Sequence, residues 1–267
     1  MITVKIGFFG CGNMARPIIQ GIIDKGIAQV YVTDILRDAL QAFCAESGAV
    51  CSTQKDILEQ CDAVVLAVKP QVLPALLPEL AEEIDRRGLL VISIAAGKKT
   101  EYIGSFFSGE IPIVRIFPNL NARVKAAVSA YCANKYAKPE DIALAKSICL
   151  SFGSAFAVPE EKINIFGVLG GCAPAYTFMY IEALAKAAQA AGFDPAQALE
   201  VAAKMTEGSA KLLASSDDAP ETLVKNVCSP GGTTIEGVNS LRKDDLASIV
   251  KKAFDASLKR DGELAGS

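Results

Sequence analysis

The sequence contains no histidine and no tryptophan among its 267 residues. The missing histidine excludes a Ser-His-Asp triad, a Cys-His dyad, an HExxH zinc site and any dehydrogenase that uses histidine as its acid. No run of about 18 uncharged apolar residues occurs, so no transmembrane helix and no membrane partner are expected. Met1-Ile2-Thr3-Val4-Lys5-Ile6 lacks the basic start and apolar stretch of a secretory leader. Basic runs are missing as well. The 27 Lys and Arg against 30 Asp and Glu leave a net charge of −3, which argues against a nucleic-acid partner. None of the eight cysteines, Cys11, Cys44, Cys51, Cys61, Cys132, Cys149, Cys172 and Cys228, forms a CxxC pair. They read as reduced, mostly buried side chains of a cytoplasmic protein, with no disulfide framework and no metal site.

What is present is a chain that is 51% apolar and long enough for one large domain or two ordinary ones. Its first half alternates strand and helix signals. Val4 to Phe9, Val30 to Thr33, Ala63 to Val68, Leu89 to Ala95 and Pro112 to Phe117 read as strands. Pro17 to Lys25, stopped by Gly26, and Ala39 to Glu46 read as helices. That rhythm predicts an α/β fold, a parallel sheet with helices on both faces.

Near Pro159 the strand signal ends and alanine dominates. Ala173 to Ala191 reads as a long helix stopped by Gly192. Asp194 and Pro195 read as the cap and first residue of another, running to about Ala214. A short helix is expected from Pro220, one from about Ile235, and a long one after Asp244-Asp245. A boundary is therefore expected at 155–162, giving domains 1–158 and 159–267, the second all-helical. The stretch Ala175 to Ala185 has few polar residues on any face. So small a domain could not easily enclose it alone, which predicts burial against a second copy: a homodimer through the helical domain, open to further assembly.

The first strand runs into Gly7-Phe8-Phe9-Gly10-Cys11-Gly12-Asn13-Met14-Ala15. Gly10-x-Gly12-x-x-Ala15 is the dinucleotide fingerprint of Rossmann-type sheets, with alanine in the third small position. Gly10 permits the tight turn, Gly12 the approach of a pyrophosphate, and Ala15 close helix–sheet packing; the helix start then offers N–H groups to the anion. Asp34 stands at the end of the second strand, where an acidic residue accepts from the adenine-ribose 2′-hydroxyl of NADH. Arg37 lies three residues later and suits the 2′-phosphate of NADPH, so both cofactors stay open.

Four segments resemble those of the pyrroline-5-carboxylate reductase family: Gly7 to Ala15; Ala67-Val68-Lys69-Pro70-Gln71; Ile94-Ala95-Ala96-Gly97 with Arg115-Ile116-Phe117-Pro118-Asn119; and Ser229-Pro230-Gly231-Gly232-Thr233-Thr234. The last, taken with Pro174-Ala175-Tyr176, is the most specific. The resemblance implies a Rossmann domain, a C-terminal helical dimerisation domain and NAD(P)H-dependent reduction of a cyclic imino acid to L-proline. Ala67 to Pro70 ends a parallel strand at the edge where ligands bind. There Lys69 is either a cation beside the cofactor or a surface charge. Ala96 and Gly97 join the cofactor set. Asn119 either bonds the nicotinamide carboxamide or holds a loop.

Ser229, Gly231, Gly232, Thr233 and Thr234 precede a helix and form a seat for a substrate carboxylate, or a Gly-rich loop capped by a threonine. Thr234 is the candidate catalytic hydrogen bond to the ring nitrogen. Three places depart from the family's usual residues. Leu120-Asn121 stands for Thr-Pro, Gly170-Gly171-Cys172-Ala173 for Ser-Gly-Ser-Gly, and Lys225 for an acidic residue. They motivate two further readings: a reductase of another small cyclic imine, and a dinucleotide-binding regulator without catalysis.

Overall fold

The computed structural model describes residues 4–265. Met1 to Thr3, which open the leader argument, lie outside them. Two compact units emerge, one of residues up to Gly171 and from Arg260 on, the other of residues 172–259.

The first unit holds eight strands: β1 (Lys5–Phe9), β2 (Gln29–Thr33), β3 (Val50–Cys51), β4 (Ala63–Leu66), β5 (Leu90–Ser93), β6 (Ile113–Phe117), β7 (Ala127–Ala133) and β8 (Gly153–Ala157). They form one sheet in the order β3-β2-β1-β4-β5-β6-β7-β8. Strands β1 to β6 run parallel to one another. The parallel sheet expected from the sequence is therefore present, with one correction. β7 runs antiparallel to β6, and β8 parallel to β7, so the sheet is mixed at that edge.

Helices α1 (Ala15–Asp24), α2 (Arg37–Ser47), α3 (Gln54–Gln60), α4 (Leu73–Arg87), α5 (Thr100–Gly104) and α6 (Pro139–Ser151) connect the strands, and α7 (Ile163–Phe166) follows β8. Strand alternation divides the core between the two sheet faces. Ile6, Phe8, Val30 and Val32 pack with Ile18, Ile19 and Ile22 of α1 and Ile148 of α6. Phe9, Val64 and Leu66 pack with Ile57 of α3 and with Leu73, Leu77, Leu80 and Ile84 of α4. That last spacing is one face of a helix. It closes with Arg86 and Arg87 in the last turn and Gly88 at φ 62°.

The packing boundary falls after Gly171, whereas the change of composition near 158 marks the end of strand-forming sequence. The stretch between is tied to the sheet. Glu160 bonds Thr100, Gly170 bonds Asn119, and Phe166 meets the Phe117 ring edge-on at 6.4 Å between centroids.

The second unit is helical: α8 (Ala173–Ala190), α9 (Pro195–Ser215), α10 (Pro220–Val227), α11 (Thr233–Lys243) and the part of α12 (Leu246–Ala265) that precedes Arg260. Gly192 takes φ 96° after α8, and Asp194 caps α9 by accepting the Gln197 N–H at 2.9 Å. Alanines Ala185, Ala198 and Ala202 let α8 and α9 approach closely. The Tyr176 hydroxyl bonds Ser257 and the Ala253 carbonyl, linking α8 to α12. Along α8, Phe178, Met179 and Tyr180 are exposed in the single chain. No helix among the described residues is long and apolar enough to cross a membrane.

Candidate active site

Phe9, Leu66 and Ser93 are register neighbours on β1, β4 and β5, so the loops after these strands share one edge. Ligands bind at that carboxyl edge in such sheets. The fold therefore brings together the Gly10–Met14 turn, the Ala67–Pro70 segment and the Ala96–Gly97 turn.

Gly10 has φ 106°, and a Cβ there would stand 2.8 Å from the Ala67 carbonyl oxygen. Both the backbone angle and the contact require glycine. A Cβ on Gly12 would meet nothing within 4 Å, and Gly12 and Asn13 are exposed. The open start of α1 fits a pyrophosphate, because the first N–H groups of a helix have no partner one turn back.

The turn is braced from two sides. The Cys11 N–H donates to Asp34 Oδ2 at 2.6 Å, and its carbonyl accepts from Arg16 Nε at 3.1 Å. The Arg16 guanidinium also lies over the Phe43 ring, 5.3 Å from its centroid. Cys11 is thus a buried brace, its thiol pushed up by desolvation, and its N–H is not free for an anion. Gly7 needs a second correction. It is buried in mid-strand, where a Cβ would stand 2.1 Å from Ile57 Cγ2, so packing under α3 explains this glycine.

Asp34 also accepts the Leu36 N–H at 2.9 Å. Both its oxygens are engaged, each with acceptor capacity left for a ribose hydroxyl. Arg37 donates to the Ser52 carbonyl at 3.2 Å, a contact that anchors β3. Lys69 is exposed, ahead of the 3-10 turn that Pro70 opens, while Ala67 and Val68 are half-buried below it. Ala96 and Gly97 are exposed, and Gly97 takes φ 72°.

The Asn119 side chain bridges two backbone segments. It is 4% exposed. Its Nδ2 donates to the Gly170 carbonyl at 2.7 Å and its Oδ1 accepts the Val128 N–H at 3.2 Å. Gly170 belongs to a π-helical turn, Gly167–Cys172, which packs on Phe117. A Cβ on Gly167 or Gly171 would stand 3.1 Å from the Phe117 ring.

In the second unit, Ser229 to Gly231 form an exposed turn with Gly231 at φ 68°. Gly232 is the N-cap of α11, and no side chain caps it. Thr233 and Thr234 open the helix, so neither is a cap residue, and their N–H groups head the first turn. Of the departures, Lys225 sits in the last turn of α10, where a cation meets the helix's carbonyl end. Cys172 is exposed at the start of α8, next to Ala173, and Leu120-Asn121 opens a 3-10 turn.

The sequence reading missed one polar cluster. Arg115 of β6 is buried and pairs with Glu160 at 3.4 Å. Glu160 accepts the Thr100 N–H at 2.8 Å and its hydroxyl at 2.6 Å. The one available signal was an arginine inside an otherwise apolar strand. Among the described residues no His, Cys, Asp or Glu group could hold a metal ion.

Comparison with known proteins joins these features. The family model "Pyrroline-5-carboxylate reductase dimerisation" matches residues 160–264. The model "NADP oxidoreductase coenzyme F420-dependent" matches residues 5–97. The chain is 34% identical to a pyrroline-5-carboxylate reductase of Escherichia coli, over 98% of this chain and 99% of the relative. It is 36% identical to that of Methanosarcina acetivorans, over 99% of both. A solved reductase from Coxiella burnetii superposes with a TM-score of 0.93 at 32% identity, covering 98% of each chain. One from Plasmodium falciparum, with NADP bound, gives 0.83 at 26% identity over the whole of both chains. With relatives this similar along nearly its full length, the chain belongs to the pyrroline-5-carboxylate reductase family.

Proposed function

We propose that this protein reduces 1-pyrroline-5-carboxylate to L-proline with NADPH or NADH. The observation that carries the reading is the uncapped start of α11 at Gly232-Thr233-Thr234, on a chain that also carries an open dinucleotide turn. Bound nicotinamide supplies the hydride for the C=N carbon. The α1 start, with the Asn13 and Met14 N–H groups, meets the pyrophosphate, and Ala67 to Pro70 and Ala96-Gly97 flank the cofactor. The first-turn N–H groups of α11 hold the substrate carboxylate.

The Thr234 hydroxyl is exposed and supplies a hydrogen bond to the ring nitrogen. A cyclic imine arrives protonated or gains its proton on binding, so positioning suffices and no imidazole is needed. Two copies pair through the helical unit, covering Phe178, Met179 and Tyr180, which are otherwise exposed apolar surface. We place the enzyme in the cytoplasm, where all eight of its free cysteines would stay reduced.

The test is oxidation of NADPH and of NADH with five- and six-membered cyclic imino acids. Turnover of the five-membered substrate, lost in Thr234→Ala, is expected. Preference for the six-membered ring would redirect the substrate. Tight cofactor binding without turnover of either would point to a regulator.

A further inference from the structure

The Ala96–Gly97 turn is exposed, yet both its ends are pinned. On one side Ala95 is buried, and its N–H donates to Ser93 Oγ at 3.2 Å. On the other, Thr100 is buried and gives both its N–H and its hydroxyl to the two oxygens of Glu160. Glu160 is held in turn by Arg115, a buried cation reaching up from β6. The three residues come from separate stretches of the chain: the start of α5, mid-β6, and the segment after β8. A carboxylate accepting two bonds from one threonine while paired with a buried guanidinium fixes position and direction together. The four residues between Ala95 and Thr100 cannot wander far with both anchors set.

We propose that Glu160 is a positioning residue for the cofactor. Through Thr100 it sets the Ala96–Gly97 turn against the nicotinamide end, and Arg115 fixes Glu160 for that task. The proposal rests on reading the turn as a cofactor contact. It also assigns a task to the segment after β8 that the dinucleotide fingerprint does not contain.

The test uses the full-length protein. Glu160→Gln keeps size and an acceptor but removes the charge that Arg115 holds. Thr100→Val keeps the branched shape and the Arg115–Glu160 pair but removes the hydroxyl bond. Both variants are expected to raise the Kd for NAD(P)H, by about tenfold for Glu160→Gln and about threefold for Thr100→Val. Amide hydrogen exchange across residues 96–100 in the cofactor-free protein should quicken in the same order.

If Tm falls while Kd and exchange in the turn stay as in the parent, Glu160 only holds the fold and the proposal is overturned. Gly97→Val separates the two layers of the argument. A Gly97→Val variant that loses cofactor affinity beside silent Glu160 and Thr100 variants overturns the latch alone. A Gly97→Val variant with unchanged affinity removes the turn from the cofactor site, and the latch falls with it.

Discussion

Asp34 accepts the Cys11 N–H at 2.6 Å, so the carboxylate at the end of β2 braces the turn after β1. The sequence pattern gives Asp34 one role, reading the ribose. The structure gives it a second, because the same group also holds the Leu36 N–H. Asp34→Ala should therefore weaken NADH and NADPH alike, by about tenfold, since it frees the turn as well as the ribose contact. Asp34→Asn keeps one acceptor and removes the charge that opposes a 2′-phosphate. It should move the NADPH-to-NADH affinity ratio about tenfold towards NADPH. Fluorescence titrations with both dinucleotides give the two ratios. Equal losses for both cofactors in Asp34→Asn would leave Asp34 with only the bracing role.

Gly7 and Gly10 are both glycines for lack of room, but the crowding differs. A Cβ on Gly10 would press on the Ala67 carbonyl from a left-handed backbone. One on Gly7 would press on Ile57, which is wholly buried. Each alanine variant should cost about 1–3 kcal/mol of stability, visible as a lower Tm. Only Gly10→Ala should also raise the cofactor Kd, because only Gly10 shapes the phosphate turn. Equal cofactor affinity in the two folded variants would contradict this division.

Five of the parallel strands were legible because they are largely buried and read as apolar runs, as in Ala63 to Leu66, whereas β3, two residues long with Cys51 exposed, offered no such run. The helices of the second unit were legible from their caps, Gly192 and Asp194-Pro195. The last two strands were not. Ala127-Val128-Ser129-Ala130 is too small and mixed to stand out, and Gly153-Ser154-Ala155 likewise. The Gly10–Gly12 turn was readable because its chemistry lies within a few consecutive residues. Glu160 was not, because its partners Thr100 and Arg115 are remote in sequence and no local spacing encodes the cluster. Asn119 was ambiguous for the same reason. One of its amide N–H groups goes to the Gly170 carbonyl, far along the chain.

That use of Asn119 predicts a stability effect without a cofactor effect. Asn119→Ala would leave the Gly170 carbonyl and the Val128 N–H without their partner in a buried place. The expected cost is about 1–3 kcal/mol, read by thermal or urea unfolding. The Kd for NAD(P)H should stay within about twofold. A large loss of affinity with unchanged stability would return Asn119 to the nicotinamide.

The cysteines should divide by burial. Burial pushes the thiols of Cys44 and Cys61 up to about 11, and those of Cys132 and Cys149 to about 12. At Cys132 the nearby Glu160 carboxylate adds to the rise. Thiolate is the reactive form, so these four should resist alkylation in the folded protein, while exposed Cys51 and Cys172 react first. The same shifts bear on stability. The ordinary value is 9.0, and the folded state holds these protons more tightly than the unfolded chain. Their contribution is therefore complete below pH 9.0 and is lost as the pH rises towards about 12. Alkaline unfolding should be accompanied by a burst of labelling at Cys149, measured by mass spectrometry across a pH series. Early labelling of Cys149 at neutral pH, with the fold intact, would contradict its burial.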